Sequence, residues 1–527
     1  MRFLPRSARR LVNPDDDMTY PAIALPSRAS PSTLARSRLF RRRRFLAAMT
    51  GGVGLMILPS ARSAFAYRAN ERLRLAVVGM AGYGAWHGFG ESLHTLGNVS
   101  YAVSCDVDLR KVQRVYDLWE KRAAEWGGSD PPEQRKAAAE FYRPLTTKKP
   151  PLYADFRRMF DEAADQFDAV VVATPDHAHA IIAAAALRAG KPVFAEKPLT
   201  ISAHEARVLH RLSRERKLPT QINTGGAASR GFRRGVELIR EGTLGDVREV
   251  HMFFSRGGRN FQSPPQGKQE VPKELNWDCW LAQVRWREYH AEWINRIAWR
   301  DTSIGELGNF GPHTANMAFM ALNAKDLWTG ETQSGRIRVT AECSEPNQLS
   351  YPRWERIRWE VPARGQLPPV AFTWHHGYPP DYAPGSQRMF EDILRDHGAP
   401  EAELKDLLPA AGCLILGSTG LLATTSHNTS VTLLPEKKFE NVDLARLRNL
   451  PAVSNQYQEW IDACRNGQAP LANFEHAAPF AEFLAVGSLA TRFPGEPIEF
   501  EPATGQITNH PRAAAFLQYE YRKGYAI

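Results

Sequence analysis

The chain is predicted to be an α/β protein: an N-terminal Rossmann domain with a doubly wound parallel sheet, then a C-terminal α+β domain on a large open, mostly antiparallel sheet. Three observations lead there. From Glu71 to Gln221, short runs of β-branched and small apolar residues alternate with helical stretches, as parallel sheets require. The first run, Leu73–Val78, enters a glycine-rich turn, and two later runs end in ionisable groups where such sheets line a ligand crevice. After Gly225, apolar and polar residues alternate with period two, the pattern of antiparallel strands with one solvated face.

In order, the expected strands of the first sheet are Leu73–Val78, Tyr101–Cys105, Ala169–Ala173, Pro192–Ala195 and Thr220–Asn223. Helices are expected at Ile181–Ala189, closed by Gly190, and at Ala203–Arg216, while the charged, Pro-containing segment Ala123–Pro151 reads as an excursion. The second sheet is expected from Arg248–Phe254, Arg336–Glu342, Arg353–Val361, Val370–His375, Leu414–Leu422 and Ser430–Leu434. Its helices are expected at Phe232–Arg240, Ser386–Arg395, Gln456–Arg465 and Ala477–Ala490. The domains are placed at 67–222 and 223–527.

Residues 1–66 are set apart as a signal peptide and disordered N-terminus. They hold 12 arginines, no lysine and 3 aspartates, whereas the remainder has 55 basic and 54 acidic residues. The net charge of +10 is therefore a property of the leader, and no basic stripe suits nucleic acid. Arg41-Arg-Arg-Arg-Phe-Leu46, the apolar stretch Ala47–Pro59 and Ala64-Phe-Ala66 have the order of a twin-arginine signal with an A-x-A cleavage site. A periplasmic or secreted location is expected, through the twin-arginine export machinery and without a stable membrane anchor, the apolar segment being short for a bilayer. The five cysteines have neither metal nor disulfide-framework spacing. His375-His376 and His177-x-His179 lack supporting carboxylates or thiols, so no metal site is expected.

The candidate cofactor residues follow from the strand ends. Gly79, Met80, Ala81, Gly82, Tyr83 and Gly84 form a G-x-A-x-x-G turn: Gly79 allows the tight turn, Gly84 allows close helix packing, and the helix N-terminus beyond offers amides to a pyrophosphate. Ala81 departs from glycine, and its methyl would crowd that approach. Asp106 closes the second strand about twenty residues on, where a carboxylate accepts the ribose hydroxyls and repels a 2′-phosphate, favouring NAD over NADP. Thr174, Pro175, His177 and His179 on the next strand's loop, with Glu196 and Lys197 at the one after, complete the expected crevice. Lys197 is the expected catalytic group, since burial near a positive nicotinamide would lower its pKa and fit it for proton transfer. In Gly305–Asn316, a helix would place Asn309, His313 and Asn316 on one face. The neighbouring aromatic-rich stretch carries Trp299 and Arg300, which with Asn316 are the expected contacts to a polyhydroxylated ring.

These residues together resemble the glucose–fructose oxidoreductase/inositol dehydrogenase/MocA family (Gfo/Idh/MocA), in its secreted bacterial branch. The likeness rests on the Gly79–Gly84 turn, Asp106, Ala173-Thr-Pro-Asp-His177, Glu196-Lys-Pro198, Trp277-Asp-Cys-Trp-Leu281, Gly305–Asn316, Phe372-Thr-Trp374 and Asn473-Phe-Glu-His-Ala477. It implies an NAD(P)-dependent oxidoreductase acting on a sugar, glycoside or cyclitol, a homo-oligomer (dimer or tetramer), and Lys197 with His313 as the catalytic pair. Asn309 stands where the family usually has Asp, which removes a candidate base and an anion that would keep His313 protonated. Scarcity of free dinucleotide outside the cytoplasm implies a tightly held cofactor. That leaves three expectations open: ping-pong transfer between sugars, redox-neutral hydrolysis or elimination of a glycoside, or a sugar-binding relative without catalysis.

Overall fold

A computed structural model describes residues 72–82, 95–96, 98–124, 132–255, 263–330, 335–377 and 385–527. The expected signal segment, Tyr83 and Gly84 lie outside the described residues. Six parallel strands, β1 (Leu73–Val78), β2 (Val99–Cys105), β3 (Leu152–Tyr153), β4 (Ala169–Val172), β5 (Val193–Ala195) and β6 (Thr220–Ile222), form the first sheet in the order β3-β2-β1-β4-β5-β6. The order reverses between β1 and β4, so their carboxyl ends open a crevice there. β4 and β5 are buried along their whole length, which explains their unbroken Val/Ala/Phe character.

Helix α1 (Leu109–Ala123) follows β2 and is N-capped by Asp108, whose side chain accepts from the Arg110 amide. Within the expected excursion lies a second helix, α2 (Pro132–Thr147), packed on α1 and contributing Ala138, Tyr142 and Leu145 to the core beneath β1 and β4. Helix α3 (Asp176–Arg188) starts five residues earlier than expected. It is apolar nearly all round because it is sandwiched between the sheet and α4 (Ala203–Arg216), so periodicity gave no boundary.

The second sheet has nine strands: β7 (Val247–Phe254), β8 (Ile337–Cys343), β9 (Glu355–Val361), β10 (Val370–His376), β11 (Ala411–Gly417), β12 (Leu421–Thr424), β13 (Val431–Leu434), β14 (Ile498–Glu501) and β15 (Gln506–Ile507). Their order is β13-β12-β11-β7-β10-β9-β8-β14-β15, with β7 and β10 the single parallel pair among otherwise antiparallel neighbours. The expected strand Leu414–Leu422 is instead a hairpin, because Gly417–Gly420 turns the chain and pairs Leu416 with Leu421.

Two late helices return to the first sheet. In α5 (Gln456–Asn466), Trp460, Ile461 and Cys464 join the core that holds Leu75, Val77 and Phe194. Helix α6 (Phe474–Ala490) is buried at 16 of its 17 positions and packs on α4, β6, β8 and β9, forming a spine between the sheets. One core thus runs from Ala76 through α6 to Tyr525, and all described residues belong to a single compact unit. All five cysteines are unpaired.

Candidate active site

The glycine-rich turn closes tightly over β4. Gly79 has φ +78°, and a Cβ on it would stand 2.6 Å from the Ala173 carbonyl oxygen; Gly82 lies against the same carbonyl. The close approach expected at Ala81 therefore falls on Gly82. Met80 points into the core beside Leu75 and Val77. The Ala81 amide donates to Asp106 Oδ2 at 2.9 Å, and the Asp108 amide donates to Asp106 Oδ1 at 2.9 Å. Asp106 is thus fixed at the end of β2, facing the turn, while Asp108 is spent on capping α1 and pairing with Arg110 at 2.7 Å.

These features fit a dinucleotide. The turn leaves no room for a Cβ at two glycines, and a buried carboxylate sits at the ribose-binding position of the fold. Two buried hydroxyls beside the crevice, Thr174 Oγ1 and Thr224 Oγ1, have no hydrogen-bond partner among the described residues, so a bound ligand has donors and acceptors waiting.

Lys197 leaves β5 toward helix α7 (Gly305–Thr314) of the second half. Its Nζ donates to both the backbone oxygen and Oδ1 of Asn309, each at 2.8 Å. Burial, with the Arg296 guanidinium nearby, lowers its pKa to about 8. Arg296 is held by Asp176 at 2.8 Å, and Ser303 Oγ donates to the other oxygen of that carboxylate at 2.7 Å. Glu196 caps no helix. It accepts from Asn223 Nδ2 at 2.6 Å, and Gln456 Nε2 of α5 donates to Asn223 Oδ1 at 2.6 Å. Ser202 caps α4 instead.

His313 lies one turn beyond Asn309. Its Nδ1 is 2.8 Å from the Thr224 carbonyl oxygen, which can only accept, so Nδ1 carries the proton and Nε2 keeps a lone pair. Burial, then His427 and Lys197, push its pKa well below the usual histidine value. The His427 ring stands 4.2 Å from it, centroid to centroid, and burial lowers that group to about 4. Sequence reasoning did not single out His427. It sits in the turn between β12 and β13, which Asn428 pins to α7 by donating to the His313 carbonyl at 2.7 Å from a left-handed φ of 56°. The histidine-asparagine pair within a short polar turn was the available signal.

Besides Met80 and Glu196, six expected site residues face elsewhere. His177 and His179 are in the first turn of α3, not on a loop. His177 Nε2 lies 2.7 Å from the Trp280 carbonyl, with burial lowering its pKa to about 4, and the nitrogens of His179 lie 2.7 and 2.8 Å from the Pro198 and Thr174 carbonyls. Both rings therefore brace the crevice from behind, as does Pro175 at the N-cap of α3. Trp299 is 1 % exposed, donates to the Glu292 carbonyl and packs on Trp293; Arg300 bonds the Asn347 and Ser350 carbonyls and Thr491 Oγ1. Neither is available to a ligand in the crevice, and the side chain of that stretch that acts on Lys197 is Arg296. Asn316 is also turned away, its Oδ1 lying 2.7 Å from His476 Nε2 on α6.

Residues 73–224 match the family described as "Oxidoreductase family, NAD-binding Rossmann fold" (GFO_IDH_MocA). The matched residues span strands β1 to β6. A dTDP-3,4-didehydro-2,6-dideoxy-alpha-D-glucose 3-reductase of Actinomadura kijaniata is 37% identical over 91 residues, 17% of this chain and 27% of the relative. An inositol 2-dehydrogenase of Rhizobium meliloti is 32% identical over 89 residues, again 17% and 27%. The matches thus span about a quarter of these curated relatives' length. The solved aldose-aldose oxidoreductase of Caulobacter crescentus, complexed with glycerol, superposes with TM-score 0.48 at 14% identity, covering 82% of this chain and 100% of that one. Among the described residues no helix is long and apolar enough to cross a membrane.

Proposed function

We propose that this chain is an exported NAD-dependent oxidoreductase that oxidises or reduces a ring carbon of a sugar, glycoside or cyclitol, with its cofactor held through turnover. The observation that carries this reading is the meeting of Lys197, from the NAD-binding domain, with Asn309 and His313 of one helix beside the strand ends. NAD, when bound, supplies the hydride chemistry. Gly79, Gly82, Asp106, Thr174 and Thr224 would hold it.

The protein's own part is the hydroxyl proton. A lysine with a pKa near 8 exchanges a proton readily close to neutrality, where general acid–base catalysis is most effective. His313, neutral with its Nδ1 proton tied to the Thr224 carbonyl, offers Nε2 as a second acceptor. The missing carboxylate at position 309 therefore suits a histidine that works uncharged. The sugar or cyclitol class follows the named relatives, a deoxyglucose reductase and an inositol dehydrogenase. Export rests on Arg41–Arg44, the apolar stretch after it and Ala64-Phe-Ala66. A homo-oligomeric state belongs to the same proposal and is read directly by light scattering.

Two separate proton acceptors also favour a second reading. A redox-neutral hydrolase or lyase needs one base for a hydroxyl and another for a carbon-bound proton beside a transient ketone. A panel of sugars, cyclitols and nitrophenyl glycosides separates the two. NADH appearing at 340 nm supports the oxidoreductase; nitrophenol release without net NADH supports the redox-neutral enzyme; neither signal on a nucleotide-loaded protein contradicts both.

A further inference from the structure

The lysine's partner at position 309 is an amide, and an amide has two ends. Asn309 Oδ1 accepts from Lys197 Nζ at 2.8 Å, while Asn309 Nδ2 donates to Glu306 Oε2, also at 2.8 Å. Glu306 is 3 % exposed and lies three residues before Asn309, on the same side of α7. Both partners favour this one orientation: the ammonium can only donate, to Oδ1, and the carboxyl oxygen receives Nδ2, whereas the flipped amide would present N–H groups to the ammonium.

Resting on the oxidoreductase reading of this site, we propose that Glu306 is a positioning residue that aims Lys197 through the Asn309 amide. The carboxyl group absent from position 309 is present one turn earlier, and the amide carries its orientation across. Lys197 then spends two of its three N–H groups on Asn309, and the third is left for a substrate hydroxyl. The charged and titratable groups around Lys197 come from every neighbouring element: Arg296 with Asp176, Glu196, Glu306, His313 and His427. Of these, Glu306 alone reaches the lysine through the residue that binds it.

One arrangement is thereby forbidden and its mirror image required. Asn309→Asp would set two carboxyls 2.8 Å apart, so they must share a proton or separate. Glu306→Gln keeps the size of the side chain but frees its amide to turn. In the double variant, the new amide at position 306 donates to the new carboxylate at position 309, which in turn accepts from Lys197. This is the same chain of bonds with its polarity reversed. The test is this double-mutant cycle on NAD-loaded full-length protein, with thermal melts to show that each variant folds. Turnover is read as kcat and KM. Competitive acetylation of Lys197 against pH, followed by mass spectrometry, reads the lysine itself. Each single variant should lose about tenfold in kcat with KM within about twofold, and shift the labelling midpoint of Lys197. The double variant should regain most of the kcat and return the midpoint toward about 8. Losses that simply multiply, or a Glu306→Gln protein with unchanged kcat and midpoint, would overturn the proposal. If the unaltered protein turns over nothing, the oxidoreductase reading fails, and the labelling cycle still decides whether Glu306 aims Lys197.

Discussion

Lys197 Nζ and Asn309 are joined twice, through the backbone oxygen and the side-chain Oδ1, both at 2.8 Å. One residue of the second half therefore fixes an ammonium carried by the first, and the site exists only where both halves meet. Replacing Lys197 by Met keeps the packing of the stem and removes the proton carrier. Turnover should fall by about 10²–10⁴-fold, the range for loss of a general acid–base group, while NAD stays bound. Parallel measurement of kcat and of NAD affinity by calorimetry checks this; equal loss of both would make Lys197 a cofactor anchor instead.

The pH profile should carry the mark of that lysine. Its pKa is lowered to about 8, so the neutral, proton-accepting form fills as pH rises through 8, and oxidation of a hydroxyl should rise with it. His313 and His427 are pushed below the usual histidine range by burial, so they should add no limb near neutrality. Log kcat/KM against pH should show one inflection near 8. An inflection between about 6 and 7 would mean a histidine titrates as the working group.

Gly82 lies against the Ala173 carbonyl with no space for a methyl group. Gly82→Ala must therefore push the turn off β4, at a cost of about 1–3 kcal/mol by the usual scale of overpacking. A lower Tm together with weakened NAD binding is the expected pair of results. An unchanged Tm would place the turn farther from β4.

Asp106 accepts from the Ala81 and Asp108 amides at the end of β2, which favour its charged form although burial raises its pKa. Asp106→Ala should weaken NAD binding by about tenfold or more and narrow its advantage over NADP, because the repulsion of a 2′-phosphate disappears. Titration of both nucleotides by fluorescence decides it. An unaltered NAD/NADP ratio would remove Asp106 from cofactor choice.

Glu355 is 3 % exposed, and burial raises its pKa from 4.5 to about 7, although Trp374 Nε1 donates to it at 3.0 Å. Between those values the folded protein binds the proton that the unfolded chain releases. This carboxyl group therefore destabilises the fold progressively as pH rises from 4.5 through 7. Glu355→Gln keeps an acceptor for Trp374 and should raise stability at about pH 8 by up to about 3 kcal/mol, with little change near pH 4.5. Denaturant melts at the two pH values check the sign.

Much of this was legible from local pattern. Leu73–Val78 coincides with β1 because its apolar residues, broken only by the exposed Arg74, form a buried run that ends in the glycine turn. Ala203–Arg216 coincides with α4 because Ser202 and Glu205 mark its start. Lys197, Asn309 and His313 were legible by motif and helical spacing, and the structure brings all three together. What escaped depends on distant contacts. His427 reaches the site only because Asn428 ties its turn to α7, and nothing in the local sequence encodes that distance. Arg296 and Arg300 occupy one aromatic-rich stretch without regular period, so spacing could not tell which would reach the crevice and which would bind carbonyls in the core. The start of α3 was hidden because a helix buried on every side has no polar face to mark its turns.

At the centre of the proposed function is a pyridine dinucleotide that lies over the first sheet and stays there through purification. Mass spectrometry of the supernatant from heat-denatured, freshly purified protein tests it most directly. Near-stoichiometric NAD or NADH should be released, and little NADP. A supernatant free of nucleotide, with no calorimetric binding of NAD or NADP by the intact protein, would contradict it.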